Sequence, residues 1–207
     1  IGSYYLGSSP VCSFNGTQYS NLSISGTYDW ANMPNVLTSG SSSTQVNAVA
    51  KLMYDCAISV GMDYSSSSSC ASYNGYELVS HFYYDSGLQG LSRSSYIDTD
   101  WKQLLYSELN NNRPIWYSGS DTQSGHSWVC DGFDVNGYFH MNWGWGGYDN
   151  GYFLLDALTP ANTGYNFNSW QYAVIGIRPP VACNISAPST SSTARCGTGS
   201  VNLTASG

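Results

Sequence analysis

The residues best suited to chemistry lie between Ser124 and Leu158. The chain has three histidines, His81, His126 and His140. Imidazole is the side chain that most readily trades protons near neutral pH, so these are the first candidates for acid–base work. His126 follows Gly125 and is expected in a turn between two strands, where a ring beside a glycine can face a cleft. His140 falls inside a strand. Alternation puts His140 and Asn142 on one face, and Met141 and Trp143 on the other. His81 sits on a helix among Tyr and Phe. For His81 and His140, a structural role with satisfied hydrogen bonds is the simpler expectation.

His126 has more promising neighbours. A hairpin would bring residues 138–143 back alongside 127–134, with Asn142 and Trp143 near the His126 end. A general base needs a partner that fixes its tautomer and ring orientation. An Asn side-chain carbonyl can accept from one ring N–H, leaving the other nitrogen for a nucleophile. Trp143 or Trp145 can keep water off that bond. The run Asn142-Trp143-Gly144-Trp145-Gly146-Gly147 sets indoles between glycines, which suits the wall of a cleft. On spacing alone, a loop that merely caps the core fits this run equally well. A metal hydrolase using His126, His140 and Asp131 would need ligands closely spaced on one helix, and these are not.

The elements that must position these residues divide the chain in two. Val46, Val49, Ala50, Leu52, Met53 and Cys56 recur at helical spacing, predicting a helix over 44–59 with Ser43 or Thr44 as N-cap and Gly61 as its stop. Further helices are expected over 75–84 and 100–109, the second showing Trp101, Leu104, Leu105 and Leu109 on one face. The serine run 65–69 reads as a loop. From Ile115 onward the pattern is aromatic and β-branched, with strands expected at 115–118, 127–134, 138–143, 152–155 and 172–177. Asn136-Gly137 and Asn150-Gly151 each suit a tight hairpin turn. Helices first and an antiparallel sheet second make an α+β fold. After Pro179-Pro180 the composition turns to Ser, Thr and Ala. The expected division is a domain over 1–180, then a linker entering an incomplete β-rich module over 181–207.

Composition narrows the function. Hydrophobic residues make up 42% of the chain and charged residues only 9%, with a net charge of -7. Hydroxyls and amides wet such a surface, as is common in exported proteins. So few Lys and Arg argue against nucleic-acid binding, which needs a basic face, and no stretch is long and apolar enough to suggest a membrane span. None of the six cysteines forms a CxxC pair, so no structural zinc site is expected. Cys56 and Cys130 sit in apolar runs and read as buried free thiols. Cys183 and Cys196 flank a Ser/Thr-rich loop and could be bridged or free. Sequons begin at Asn15, Asn21, Asn184 and Asn202 and carry little weight in so Ser- and Asn-rich a chain.

Taken together, Gly125-His126, Asp131-Gly132, the block His140–Gly147, Gly151-Tyr152-Phe153 and Leu155-Asp156-Ala157-Leu158 resemble the C-terminal half of the streptopain family. Upstream segments agree in order: 28–34, 60–64 and Asn112-Arg113-Pro114, followed downstream by 172–177. The resemblance spans roughly residues 1 to 180. That family comprises secreted bacterial cysteine proteases with a papain-like fold. The resemblance implies a secreted or cell-surface cysteine endopeptidase acting on protein or peptide substrates through a thioester acyl-enzyme, with no cofactor or metal. His126 would be the acid–base partner of a thiolate, and Asn142 and Trp143 would orient and shield it. Gly125, Trp145 and Cys70 would contact substrate, Cys70 standing where the family has Ser. The family's nucleophile pattern, Gly-Cys-Val-Ala-Thr-Ala, does not occur in residues 1–207. The nucleophile is therefore expected upstream of Ile1, on the same polypeptide or on a separate N-terminal chain. The chain alone would then be inactive. The alternative is a module that keeps the fold without the nucleophile and binds peptide or carbohydrate.

Overall fold

Ser42 begins the first helix, α1 (Ser43–Ser59), with a capping box. Its hydroxyl accepts from the Gln45 N–H at 3.3 Å and the Gln45 side chain accepts from the Ser42 N–H at 3.0 Å. Sequence placed the cap at Ser43 or Thr44. Ser42 wins because it alone has a Gln three residues later to return the bond. Gly61, at φ +57°, ends the helix as expected. The computed structural model describes residues 24, 26–64, 69–71, 73–122 and 124–180. The expected 181–207 module, Cys12, Cys183, Cys196 and all sequon asparagines lie outside the described residues.

Helix α1 uses one side of its apolar surface. Ala48 and Asp55 are buried, whereas Val46, Met53 and Tyr54 are largely exposed. Asp55 is held by Lys51, one helical turn earlier, and by the Tyr28 hydroxyl at 2.8 Å. Burial and this carboxylate push the Tyr28 phenol up to about 12. Helix α2 (Tyr76–Phe82) starts after Gly75, and α3 (Asp98–Asn110) buries Trp101, Leu105 and Glu108.

Among the described residues, two strands precede α2. β1 (Asp63–Tyr64) pairs antiparallel with β2 (Ser69–Cys70), so Ser69 belongs to a hairpin, whereas the whole serine run was expected to be loop. The main sheet is six-stranded and antiparallel throughout, in the order β3-β8-β4-β5-β6-β7. Its strands are β3 (Gln89–Ser92), β4 (Ile115–Ser120), β5 (Gly125–Phe133), β6 (Phe139–Asn142), β7 (Gly151–Phe153) and β8 (Ser169–Ile175). β3 is a short polar edge strand without a clear alternating signal, and sequence missed it. The Asn136-Gly137 turn forms as part of a loop in which the Asp134 carboxylate accepts from the Asn136 and Tyr138 N–H groups, with Gly137 at φ +87°. Asn150-Gly151 is not a two-residue turn. It closes the longer loop 143–150, which joins β6 to β7.

The core lies between α3 and one face of the sheet. Trp101, Leu105, Ile115, Tyr117, Trp128, Cys130, Phe139, Met141, Trp143, Phe167 and Ala173 are buried there. Leu105, Ile115, Phe139, Met141 and Phe167 each stabilise by roughly 1.5–3 kcal/mol on leaving water. Three of the core's polar side chains are paired in a chain. The Trp101 indole N–H donates to the Tyr117 hydroxyl at 2.9 Å. That hydroxyl donates to Gln171 Oε1 at 2.5 Å, and the Gln171 amide donates to the Leu155 carbonyl at 2.6 Å. Cys130 is a buried free thiol as expected, but Cys56 is free and exposed. Its place on the open side of α1 explains the difference.

Candidate active site

The site is built on the β4–β5 hairpin. His126 is the second residue of β5, opposite Gly119 of β4, and not in a turn as sequence suggested. Strand alternation aims its ring to the same side as Trp128 and Cys130. Gly119 has no room for a side chain, because a Cβ there would come within 2.2 Å of the Phe167 carbonyl oxygen. That close approach lets the chain before β8 lie beside His126. The imidazole is only 6% exposed. Around it are the rings of Trp145 at 4.8 Å, Phe167 at 5.6 Å, Trp128 at 6.0 Å and Trp143 at 6.4 Å between centroids.

A hydrogen bond to the main chain orients the ring. His126 Nε2 lies 2.7 Å from the backbone carbonyl oxygen of Trp143. A carbonyl can only accept, so Nε2 carries the proton and the neutral ring keeps its lone pair at Nδ1. Sequence assigned this orienting role to the Asn142 side chain. That side chain instead accepts from the Gly144 N–H at 3.1 Å, bracing the first turn of the loop 143–150. Asn142 faces the other side of β6, as its alternation with buried Met141 requires. The acceptor for His126 therefore comes from the neighbouring residue's main chain.

Trp143 is held at each of its polar groups. Its backbone N–H donates to Asn150 Oδ1 at 3.0 Å, and its indole N–H donates to the Asp149 carbonyl at 2.9 Å. Its ring is fully buried and lies between His126 and Phe153. The Trp145 indole N–H is also buried, with no hydrogen-bond partner among the described residues. Gly125, the first residue of β5, pairs with Ser120 and is buried. Cys70 pairs through its backbone with Asp63, and its side chain is outside the described residues.

The segment after Cys70 reaches β5 through contacts that sequence did not suggest. Ala71 is fully buried, and Tyr73 stacks on Trp116 at 3.9 Å with its hydroxyl 2.8 Å from Ser127 Oγ. Ser127 follows His126 and alternates to the other face of β5, so this anchor fixes Tyr73 on the face of the sheet opposite the imidazole. Phe167, Asp149, Asn150 and Tyr73 were all missed. Phe167 and Tyr73 act across long stretches of sequence, and Asp149 and Asn150 act within a loop whose closure on Trp143 has no sequence signature.

The three residues considered as metal ligands do not converge. His140 Nδ1 pairs with Asp131 Oδ1 at 2.5 Å on the outer face of the β5–β6 hairpin, while His126 points into the core face. Neither described cysteine sits where His126 could activate it. Cys130 is four residues further along β5, roughly 13 Å away at strand spacing, and burial pushes its thiol far up. The Cys56 thiol, exposed on α1, is held above its ordinary value by partial desolvation from its helix neighbours first and by the Asp55 carboxylate second.

An imidazole with a fixed tautomer in an aromatic box, with neither Cys56 nor Cys130 beside it, is suited to trading protons with a group brought to it. The sequence pattern of the peptidase C10 family matches residues 7–153. The chain belongs to the peptidase C10 family. Streptopain of Streptococcus pyogenes serotype M28 (strain MGAS6180) is 38% identical over 159 residues, covering 73% of this chain and 40% of streptopain. The thiol protease/hemagglutinin PrtT of Porphyromonas gingivalis is 37% identical over 160 residues, covering 74% of this chain and 18% of PrtT. This C10 chain thus spans about two fifths of streptopain and less than a fifth of PrtT. Among solved structures, active wild-type interpain A of Prevotella intermedia superposes with a TM-score of 0.66 at 31% identity, over 76% of this chain and 71% of that one. A prointerpain A fragment from the same organism gives 0.63 at 34% identity, over 73% and 48%. The fold is the papain-like α+β fold of these C10 proteases, as the resemblance implied. Among the described residues, no helix is long and apolar enough to cross a membrane.

Proposed function

We propose that this C10 chain is the histidine-bearing part of an exported cysteine endopeptidase whose nucleophile lies upstream of Ile1. The observation that carries the reading is the His126 ring, held by the Trp143 carbonyl with its lone pair at Nδ1. The names of the relatives, streptopain and a thiol protease, support it. So does the open apolar side of α1, where Val46, Met53 and Tyr54 offer a packing surface to further chain.

In the complete protein His126 would hold the cysteine as thiolate and itself as imidazolium. The thiolate attacks the scissile carbonyl, and the tetrahedral intermediate collapses to a thioester as the peptide C–N bond breaks. The imidazolium protonates the leaving amine. The neutral imidazole then takes a proton from water, which attacks the thioester and releases the acid and the thiol. Gly125, Trp145 and the Cys70-Ala71 segment would line the substrate path. Protein and peptide substrates follow from this chemistry, and residues 181–207 would begin an appended β-rich module. The low charge and hydroxyl-rich composition suit a secreted or cell-surface location.

Full-length protein, incubated with a thiol-directed inhibitor of papain-like proteases, is expected to label at one cysteine upstream of Ile1 and to hydrolyse a peptide substrate. His126→Ala should reduce turnover by about 10³-fold, the usual weight of a general acid–base. Absence of both labelling and turnover, with Ser or Ala at the nucleophile position, would favour the binding module instead.

A further inference from the structure

The loop that supplies the His126 acceptor is tied to a second loop by one side chain. Asp149 stands near the end of loop 143–150 at φ +58°, a left-handed conformation that few residues other than Gly, Asn and Asp adopt readily. Its main-chain carbonyl receives the Trp143 indole N–H. Its carboxylate receives two bonds from Asn162, the backbone N–H at Oδ2 (3.3 Å) and the side-chain amide at Oδ1 (2.5 Å). No Lys or Arg among the described residues pairs with it.

Asn162 lies in the segment that leaves Leu158 and returns at Phe167. That segment is closed at its base, where the Phe167 N–H donates to the Leu158 carbonyl and the Leu158 N–H to Asn168 Oδ1. Phe167 then packs on His126, Trp128 and Trp143. Tyr165, beside it, faces Trp145 with centroids 6.1 Å apart. The two loops thus meet at the imidazole through their aromatic rings and at Asp149–Asn162 through hydrogen bonds.

We infer that Asp149 is a positioning residue for His126, acting through Trp143. The loop 143–150 contains Gly144, Gly146 and Gly147, all at positive φ, and so has little stiffness of its own. The other restraints on the segment whose carbonyl holds the imidazole, the Asn142 brace, the Asn150 bond and the buried Trp143 ring, all lie within residues 142–150, and Asn162 is its hydrogen-bonded tie to the facing loop. A displacement of about 1 Å at a general base is enough to cost a large factor in rate. The inference rests on the protease reading for its kinetic consequence, but not for its structural one.

The test uses the full-length protein. Asp149→Gly keeps the backbone conformation and removes the link, Asn162→Ala removes it from the other side, and Asp149→Asn keeps an acceptor for the Asn162 amide. Turnover of a peptide substrate is expected to fall about tenfold in kcat for Asp149→Gly and for Asn162→Ala, with KM little changed. The double variant should be no worse than either single one, because both break the same contact. Asp149→Asn should recover most of the rate. A 1H–15N spectrum of the imidazole, assigned by comparison with His126→Ala, should show the Nε2–H resonance shifted or broadened in Asn162→Ala, which keeps the Asp149 charge, as the Trp143 acceptor loosens. Wild-type kcat and pH profile in both single variants would overturn the inference. If the wild-type protein hydrolyses nothing, the protease reading falls, and the spectrum decides alone: an unchanged His126 Nε2–H resonance in Asn162→Ala sinks the positioning role.

Discussion

At the scale of single residues, the acceptor beside His126 is the Trp143 carbonyl, where sequence expects the Asn142 side chain. The identity of Trp143 was readable, because the Asn-Trp-Gly-Trp-Gly-Gly run is unusual and follows a Gly-His at the right distance. Which of its atoms matters was not readable, since a backbone carbonyl has no sequence signature. The consequence is a split between adjacent positions. Asn142→Ala removes only the brace to the Gly144 N–H and leaves the His126 acceptor in place. In the full-length protein it is expected to lower kcat by less than about tenfold, the scale of a loosened turn, far short of the loss expected for His126→Ala. Steady-state kinetics of the two variants side by side checks this. A loss of equal size in both would return the orienting role to the Asn142 side chain.

At the scale of elements, sequence found the regular ones and missed those defined by partners. The helix α3 and the strands β4, β5 and β8 carry strong apolar patterns, and their existence was legible. β3 is recognisable only once β8 is beside it, and the loop 143–150 only once Asn150 is seen to bind Trp143 and so close its base. The element that most depends on distant partners is the end of α3. Glu108, buried there, takes two bonds from Arg113, both at 2.8 Å, and one from the Gly176 N–H at 2.8 Å, joining α3 to the end of β8. Burial alone would raise the Glu108 carboxyl. The Arg113 guanidinium and the Gly176 N–H more than offset this and hold it below its ordinary value of 4.5. A carboxyl lowered in the folded state adds stability above the unfolded value and loses it as pH falls through the folded value. Glu108→Ala should cost on the order of 3 kcal/mol at neutral pH, because Arg113 is left without its partner. The difference from wild type should shrink below about pH 4. Urea denaturation at pH 7 and pH 3 measures both.

At the scale of the whole molecule, two regions behave differently. The sheet and α3 close around a continuous aromatic core, whereas α1 keeps an apolar side exposed. This also explains why the helical period of α1 was right and its buried face only partly so: the pattern records more packing surface than the described residues use. Cys130 lies at the centre of the closed region, fully buried, and its thiol is pushed up by burial first and by Asp131 second. Its reaction with iodoacetamide is expected only on global unfolding, so that labelling against urea follows the same transition as circular dichroism. Cys56, exposed on α1, should label without denaturant. Native-state modification of Cys130, read by peptide mass mapping, would contradict the closed core.

The stack of Trp145 on His126, with centroids 4.8 Å apart and planes 25° from parallel, also makes the site optically self-reporting. A protonated imidazole quenches the emission of an indole in contact with it, whereas the neutral ring quenches far less. The charge that would be passed between thiol, imidazole and leaving amine is therefore written into the brightness of an adjacent tryptophan. Fluorescence could follow the proton on His126 in real time, without any label attached to the protein.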